Sequence, residues 1–145
     1  MLFGLLALTT AALFAGAAVY INAVEHPARS ELSAQAQLAQ WRSAYKRGFI
    51  MQSSLAMVSF LLGVLAWWQS GYWQWLAGAA AIIANWPFTL VVIRPTNNQL
   101  MGEASAEEAR HLLSRWNRLH GTRSGFGFLA VVAYLWAALA QSHLL

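Results

Sequence analysis

The run "LFGLLALTTAALFAGAAVYINAVEHPAR", residues Leu2 to Arg29, decides the fold. From Leu2 to Val24 it carries no charge, and only Thr9, Thr10 and Asn22 break an otherwise apolar stretch. About 20 such residues cross a bilayer as a helix. A cleaved signal would have a basic start and a shorter apolar core, so the run reads as a membrane span. It then ends abruptly in an amide, a carboxylate, an imidazole and a guanidinium within "NAVEHPAR", Asn22 to Arg29.

Three further runs match it. Residues 49–68 ("FIMQSSLAMVSFLLGVLAWW") and 72–93 ("YWQWLAGAAAIIANWPFTLVVI") are of spanning length, and 125–141 is a shorter fourth run. With spans at about 2–24, 49–68, 72–93 and 125–141, the chain reads as one all-α integral membrane domain. Its expected form is a four-helix transmembrane bundle with helical segments in two long cytoplasmic loops. Gly63 and the row Gly78, Ala79, Ala80, Ala81 are small enough to let helices approach closely.

Composition agrees. Of 145 residues 59% are hydrophobic and 10% charged, against roughly 25% charged in soluble domains. There is no cysteine, which removes disulfides, thiolate nucleophiles and thiolate metal sites. The net charge of +4 is modest, and the basic residues read as topology signals, not as a nucleic-acid surface. All nine Lys and Arg fall in the two long loops, 25–48 and 94–124, while the second and third spans are joined only by "QSG". The positive-inside rule places both loops in the cytoplasm and both termini outside, in the inner (plasma) membrane. Trp67, Trp68, Trp73 and Trp75 are expected to form an aromatic belt at the opposite interface.

Each long loop is expected to hold a helix of its own. One is Arg29 to Gln40, after Pro27. The other runs from about Ala106 to His120, opened by the capping box "SAEE" and stopped at Gly121. Its apolar positions Leu112, Leu113, Trp116 and Leu119 would face the membrane interface.

Four antiparallel spans deliver their polar ends to one side. Span one brings Asn22, Glu25, His26 and Arg29; the approach to span two brings Trp41, Tyr45, Arg47 and Gln52. Span three brings Asn85 and Thr89 around Pro87, where a kink is expected, and then Arg94, Thr96 and Asn97. The approach to span four brings Trp116, Asn117, His120 and Arg123. Bundles build sites at such ends. Plainer roles compete. Arg42, Lys46, Arg115 and Arg118 suit topology or lipid phosphates, Glu25 can pair with Arg29 one turn on, and His111 and His143 read as exposed. Asn22 and Asn85 suit interhelical hydrogen bonds as well as a site. Glu25, His26 and His120 carry metal-ligand chemistry, but their spacing matches no metal motif, and no metal is expected. No phosphate loop, Ser–His–Asp set or haem-attachment motif is present.

"NAVEHPAR", W–x3–Y–K–R–G at Trp41 to Gly48, "NWPFTLVVIRPTNNQL" at Asn85 to Leu100, and W–x3–H–x2–R at Trp116 to Arg123 occur in this order. Together they resemble the anthrone oxygenase-like integral membrane family over nearly the whole chain. The resemblance implies oxidation of polyphenolic anthrones to anthraquinones by molecular oxygen, with no cofactor. It implies a base, donors to a developing oxyanion and a water-poor pocket. His26 is the first candidate base and His120 the second. Asn22, Asn97 and Arg29 are candidate donors, with Glu25 and Thr96 beside them. Arg94 and Arg123 are candidates to hold an anionic substrate or headgroup, and Trp41, Tyr45 and Trp116 to sandwich a flat ring. The expected partners are the bilayer, a small lipophilic aromatic substrate and further copies of the chain as a homo-oligomer. The alternative is a non-catalytic module that binds a lipid, a lipophilic molecule or a membrane partner. A transporter is the weaker third reading, because no ionisable group lies deep in the apolar runs.

Overall fold

The computed structural model describes residues 1–142, without the side chain of Ala106. His143 lies outside the described residues. Among them there is no strand, and four helices are each long and apolar enough to cross a membrane: Leu2–Ser30, Ala34–Ser70, Gln74–Met101 and Glu107–Gln141.

The first rod is α1 (Leu2–Tyr20), a wide π-turn (Ile21–Glu25) and α2 (His26–Ser30). The second is a single helix, α3 (Ala34–Ser70). The third is segmented into α4 (Gln74–Ile83), α5 (Asn85–Phe88), a second π-turn (Thr89–Ile93) and α6 (Arg94–Met101). The fourth is α7 (Ala106–Gln141).

The prolines explain the segmentation. Proline has no N–H and clashes with the carbonyl four residues back. Ahead of Pro27 the chain widens, and His26 N–H donates to the Ile21 carbonyl, five residues away. Ahead of Pro95, Arg94 N–H donates to the Thr89 carbonyl in the same way. The rods therefore continue through both prolines. Pro87 follows a break in the α-helix at Ala84, where a kink was expected.

The first loop also differs from expectation. Its chain reversal is confined to 31–33, and no separate helix runs from Arg29 to Gln40. Gln37 Nε2 donates to the Ser30 and Leu32 carbonyls at 3.3 and 2.8 Å, tying the turn down, and Ser33 caps α3. From Ala34 the helix runs straight into span two.

At the other end, Ser105 and Glu108 form the expected capping box. Gly121, however, does not stop the helix: α7 passes through it for 36 residues, about 54 Å. A mid-helix glycine costs only about 1 kcal/mol against alanine, and the apolar stripe continues on both sides. The stripe at Leu113 and Trp116 packs on Leu38, Trp41, Ile93 and Leu100, not against an interface. Among the described residues, the helix end that does need a left-handed residue is that of α3, where Gly71 has φ 74° and closes on the Trp67 carbonyl at 2.7 Å.

Small residues face inward and large ones outward, the inverse of a soluble core. Ala7, Ala11, Phe14 and Ala18 of α1 meet Ala56, Gly63 and Ala66 of α3 and Ala130 and Ala137 of α7. Leu2, Ile50, Val91 and Phe128 point out, each more than 60% exposed. Gly63 and Gly78 form a bed for Tyr134, whose hydroxyl donates to the Ser59 carbonyl at 3.0 Å. Trp75 departs from the expected belt: it is fully buried, its ring lies against Gly4, and its Nε1 donates to Gln141 Oε1 at 3.2 Å. Trp68 and Trp73 are exposed, as a belt requires.

Two glycine substitutions separate these roles. A Cβ at Gly78 would lie 2.3 Å from the Tyr134 ring, so Gly78→Val should destabilise by about 1–3 kcal/mol. A Cβ at Gly121 meets nothing within 4 Å, so Gly121→Ala should stabilise by up to about 1 kcal/mol. Thermal melts of the purified variants check both, and destabilisation by Gly121→Ala would restore the helix stop.

Candidate functional site

Each π-turn places its first and last residue, Ile21 and Glu25 or Thr89 and Ile93, on one cavity of about 280 Å³. That approaches the roughly 300 Å³ lower bound of small-molecule sites. α3 adds Trp41, Tyr45, Gly48, Phe49 and Gln52, and α7 adds Trp116, His120 and Arg123.

Of the residues expected in a site, Glu25, Arg29, Trp41, Tyr45, Asn97, Trp116, His120 and Arg123 share this lining. The other four do not. Asn22 lies behind His120, and Thr96 is buried outside the lining. Arg94 is exposed. His26 borders a separate groove with Ser30, Gln37 and Arg110. The extra residue of the π-turn shifts the register beyond it, so the choice between Glu25 and His26 for the inner face was not readable from a regular helical wheel. Glu25, His26 and His120 do not converge: no cluster of three His, Asp or Glu suited to a metal occurs among the described residues.

Gln52 and Thr89, named in the polar cluster but given no role in a site, line the cavity, and so does Phe49, which was not expected there. The signal for Gln52 was an amide in an apolar run, and for Thr89 a hydroxyl beside Pro87.

The aromatics form a wall. Trp41 stacks on Tyr45 at 4.8 Å, meets Trp116 edge-on at 5.7 Å, and Trp116 stacks on His120 at 4.8 Å. Trp41 and Tyr45 leave no gap for a ring between them, so the expected sandwich is replaced by a continuous surface.

Two hydrogen-bond chains end at this wall, and each has a fixed direction. An indole N–H can only donate. Trp116 Nε1 donates to Asn97 Oδ1 at 2.9 Å, which orients the amide, and Asn97 Nδ2 donates to Tyr45 Oη at 3.0 Å. The Tyr45 proton is then free for an occupant of the cavity. A backbone carbonyl can only accept. Asn22 Nδ2 donates to the Asn117 carbonyl at 2.9 Å and to Asn117 Oδ1 at 2.7 Å, so Asn22 Oδ1 faces the other way. There it accepts from Ser124 Oγ at 2.7 Å and from His120 Nδ1 at 3.0 Å. The proton on Nδ1 leaves Nε2 of the neutral ring as a lone pair, with no partner among the described residues. One chain thus delivers a donor and the other an acceptor to one cavity.

Charge is unevenly settled. Arg29 pairs with Glu25, and Gln40 bridges them, accepting from Arg29 Nε and donating to Glu25 at 3.2 Å. Arg42 caps α6 by donating to the Leu100 carbonyl at 2.8 Å and to that of Gly102, a packing role beyond topology. Arg123 is 8% exposed and makes no hydrogen bond to any described residue. It lies 5.7 Å over the Phe14 ring. A cation–π contact is worth about 0.5–2 kcal/mol, against several for desolvating an ion.

The fold and site define a class: a helical bundle of membrane-spanning dimensions around an aromatic-walled cavity that opens on its surface. The chain belongs to the anthrone oxygenase family, whose model matches residues 41–133. It is 36% identical to the anthrone oxygenase ptaC of Pestalotiopsis fici over 116 residues, 66% of this chain and 80% of that one. It is 31% identical to the anthrone oxygenase tpcL of Aspergillus fumigatus over 140 residues, 87% of this chain and 86% of that one. No solved structure matches the chain.

The Trp116–Asn97 bond predicts coupling. Asn97→Leu and Trp116→Phe should each cost about 1–3 kcal/mol, and the double variant should fall short of their sum by at least about 0.5 kcal/mol. A double-mutant cycle read by thermal melts checks this, and strict additivity would contradict the chain of bonds.

Proposed function

We propose that the chain is an oxygen-dependent oxidoreductase that converts the activated methylene of a lipophilic, electron-rich hydroxyaromatic of the anthrone type to a carbonyl. The observation that carries this reading is the opposed pair on one wall, the His120 Nε2 lone pair and the free Tyr45 proton, in a family whose named members are anthrone oxygenases.

The substrate lies flat on the Trp41–Tyr45–Trp116 wall. His120 Nε2 accepts a proton from the methylene, and the charge delocalises onto the ring oxygen, where Tyr45 O–H donates to it. The carbanion passes one electron to oxygen, and the resulting radicals combine to a peroxide that loses water. In sum, one methylene and one O2 become one carbonyl and one water, with oxygen as the oxidant. The apolar lining excludes bulk water. Asn22 and Asn97 act as positioning residues, holding the tautomer of His120 and the hydroxyl direction of Tyr45.

His120→Ala should lower oxygen uptake with an anthrone by at least about 100-fold, and Tyr45→Phe by about 100- to 1,000-fold in kcat. His26→Ala should retain activity. Oxygen-electrode assays of purified protein check this. Full activity in His120→Ala, or its loss in His26→Ala alone, would sink the assignment. Ligand binding without uptake by any phenol would favour the non-catalytic module.

The bundle sits in the plasma membrane with its cavity end in the cytoplasm and both termini outside. The support is that all nine Lys and Arg lie towards that end of the four rods. The chain has no native cysteine, so single cysteines report cleanly. An impermeant maleimide should label Gly71→Cys in intact cells and Glu103→Cys only after lysis; the reverse pattern would invert the topology.

A further inference from the structure

We infer that the cavity takes an aromatic ligand that is already an anion when it binds, with an ionised oxygen, separate from the reacting carbon, seated on Arg123. The ligand class is a flat hydroxyaromatic carrying a carboxylate or a comparably acidic phenol. This rests on the cavity being the substrate site, but not on the oxidation itself.

The charges on the cavity wall carry the inference. Arg29 and Glu25 cancel each other, and the one ion pair among the described residues is theirs. Arg123 is the uncompensated charge: it is more than nine-tenths buried, lines the cavity, and its Nε has no hydrogen-bond partner. Arginine stays charged, and a guanidinium offers five donors in a plane that matches a carboxylate. The Phe14 face offsets part of the cost of burial but accepts no hydrogen bond in the plane of the fork. A second orphaned donor, Nη1, belongs to Arg29, which also lines the cavity. The surrounding wall of Trp41, Tyr45, Trp116 and His120 suits a flat ring better than a phosphate with two acyl chains. Arg94, the other candidate for this role, is exposed and outside the lining. An anion brings the cavity to neutrality, and a neutral ligand of the same shape leaves the guanidinium unpaired.

Binding alone tests this. Anthracene-2-carboxylate and anthracene-2-methanol share a ring system and differ in charge. Each is titrated into the protein in nanodiscs of zwitterionic lipid, followed by energy transfer from tryptophan to anthracene and corrected against empty discs. The unaltered protein should bind the carboxylate about 10- to 100-fold more tightly than the alcohol. Arg123→Met should bind the two alike, and replacing an uncompensated charge with an apolar chain should leave the fold intact. Equal affinities in the unaltered protein, or a preference that survives Arg123→Met, would overturn the inference. So would loss of carboxylate binding when phosphatidylglycerol is added to the discs, because Arg123 would then hold a lipid headgroup. The comparison on the unaltered protein does not depend on the variant folding, and a protein that binds the carboxylate without oxygen uptake would overturn only the proposed oxidation.

Discussion

Two prolines, each preceded by a π-turn at the same end of the bundle, are the constraint on which the rest of the site depends. Pro27 and Pro95 cannot be fitted into a plain α-helix without stranding the carbonyl four residues back. In a membrane-spanning rod a stranded backbone group has no water to turn to. The chain meets this by bonding His26 and Arg94 five residues back, to Ile21 and Thr89. The wider turns add a residue each and shift the face presented beyond them. The same two turns then frame the cavity through Ile21, Glu25, Thr89 and Ile93. Backbone accommodation and site formation are one event.

Around this frame the polar chemistry is ordered by groups whose direction cannot be reversed. The Trp116 indole only donates, and the Asn117 carbonyl only accepts. Between each of them and the cavity stands one asparagine, which passes the direction on. A histidine or tyrosine on an open wall could turn to suit its occupant; here both are set before anything binds. Preorganisation of this kind is what lets a buried donor act on a developing charge at little reorganisation cost. It also concentrates risk, because each asparagine serves partners on two sides.

The scaffold holds these groups by close approach, not by bulk. Alanines and glycines pave the inner faces, and three of the largest buried side chains are seated on glycine: Tyr134 on Gly63 and Gly78, Trp75 on Gly4, Phe14 on Gly127. Lipid tails are as apolar as leucine, so leucines gain little by turning inward and are spent on the outer surface. The helices α3 and α7 run on past the bilayer thickness, and their extensions hold Trp41 and Trp116 over the cavity.

The amino-acid sequence by itself determined the four apolar runs, the clustering of polar groups at one end and the family, because these depend on hydropathy and local motif. Ser105 with Glu108 opened a helix as their spacing required, and Gly71 ended one. Tertiary structure decided the rest. Gly121 reads locally as a stop, yet packing on both sides carries α7 through it. Trp75 reads as an interface anchor, yet Gly4 and Gln141 bury it. Glu25 and His26 are neighbours that a helical wheel could not separate, and the π-turn sent one to the cavity and the other to a groove. Arg42, Arg94 and Arg123 look alike in sequence. Only the fold caps a helix with the first, leaves the second exposed on the surface and buries the third without an acid, because charge compensation depends on which groups meet across helices, not on which are near in the chain.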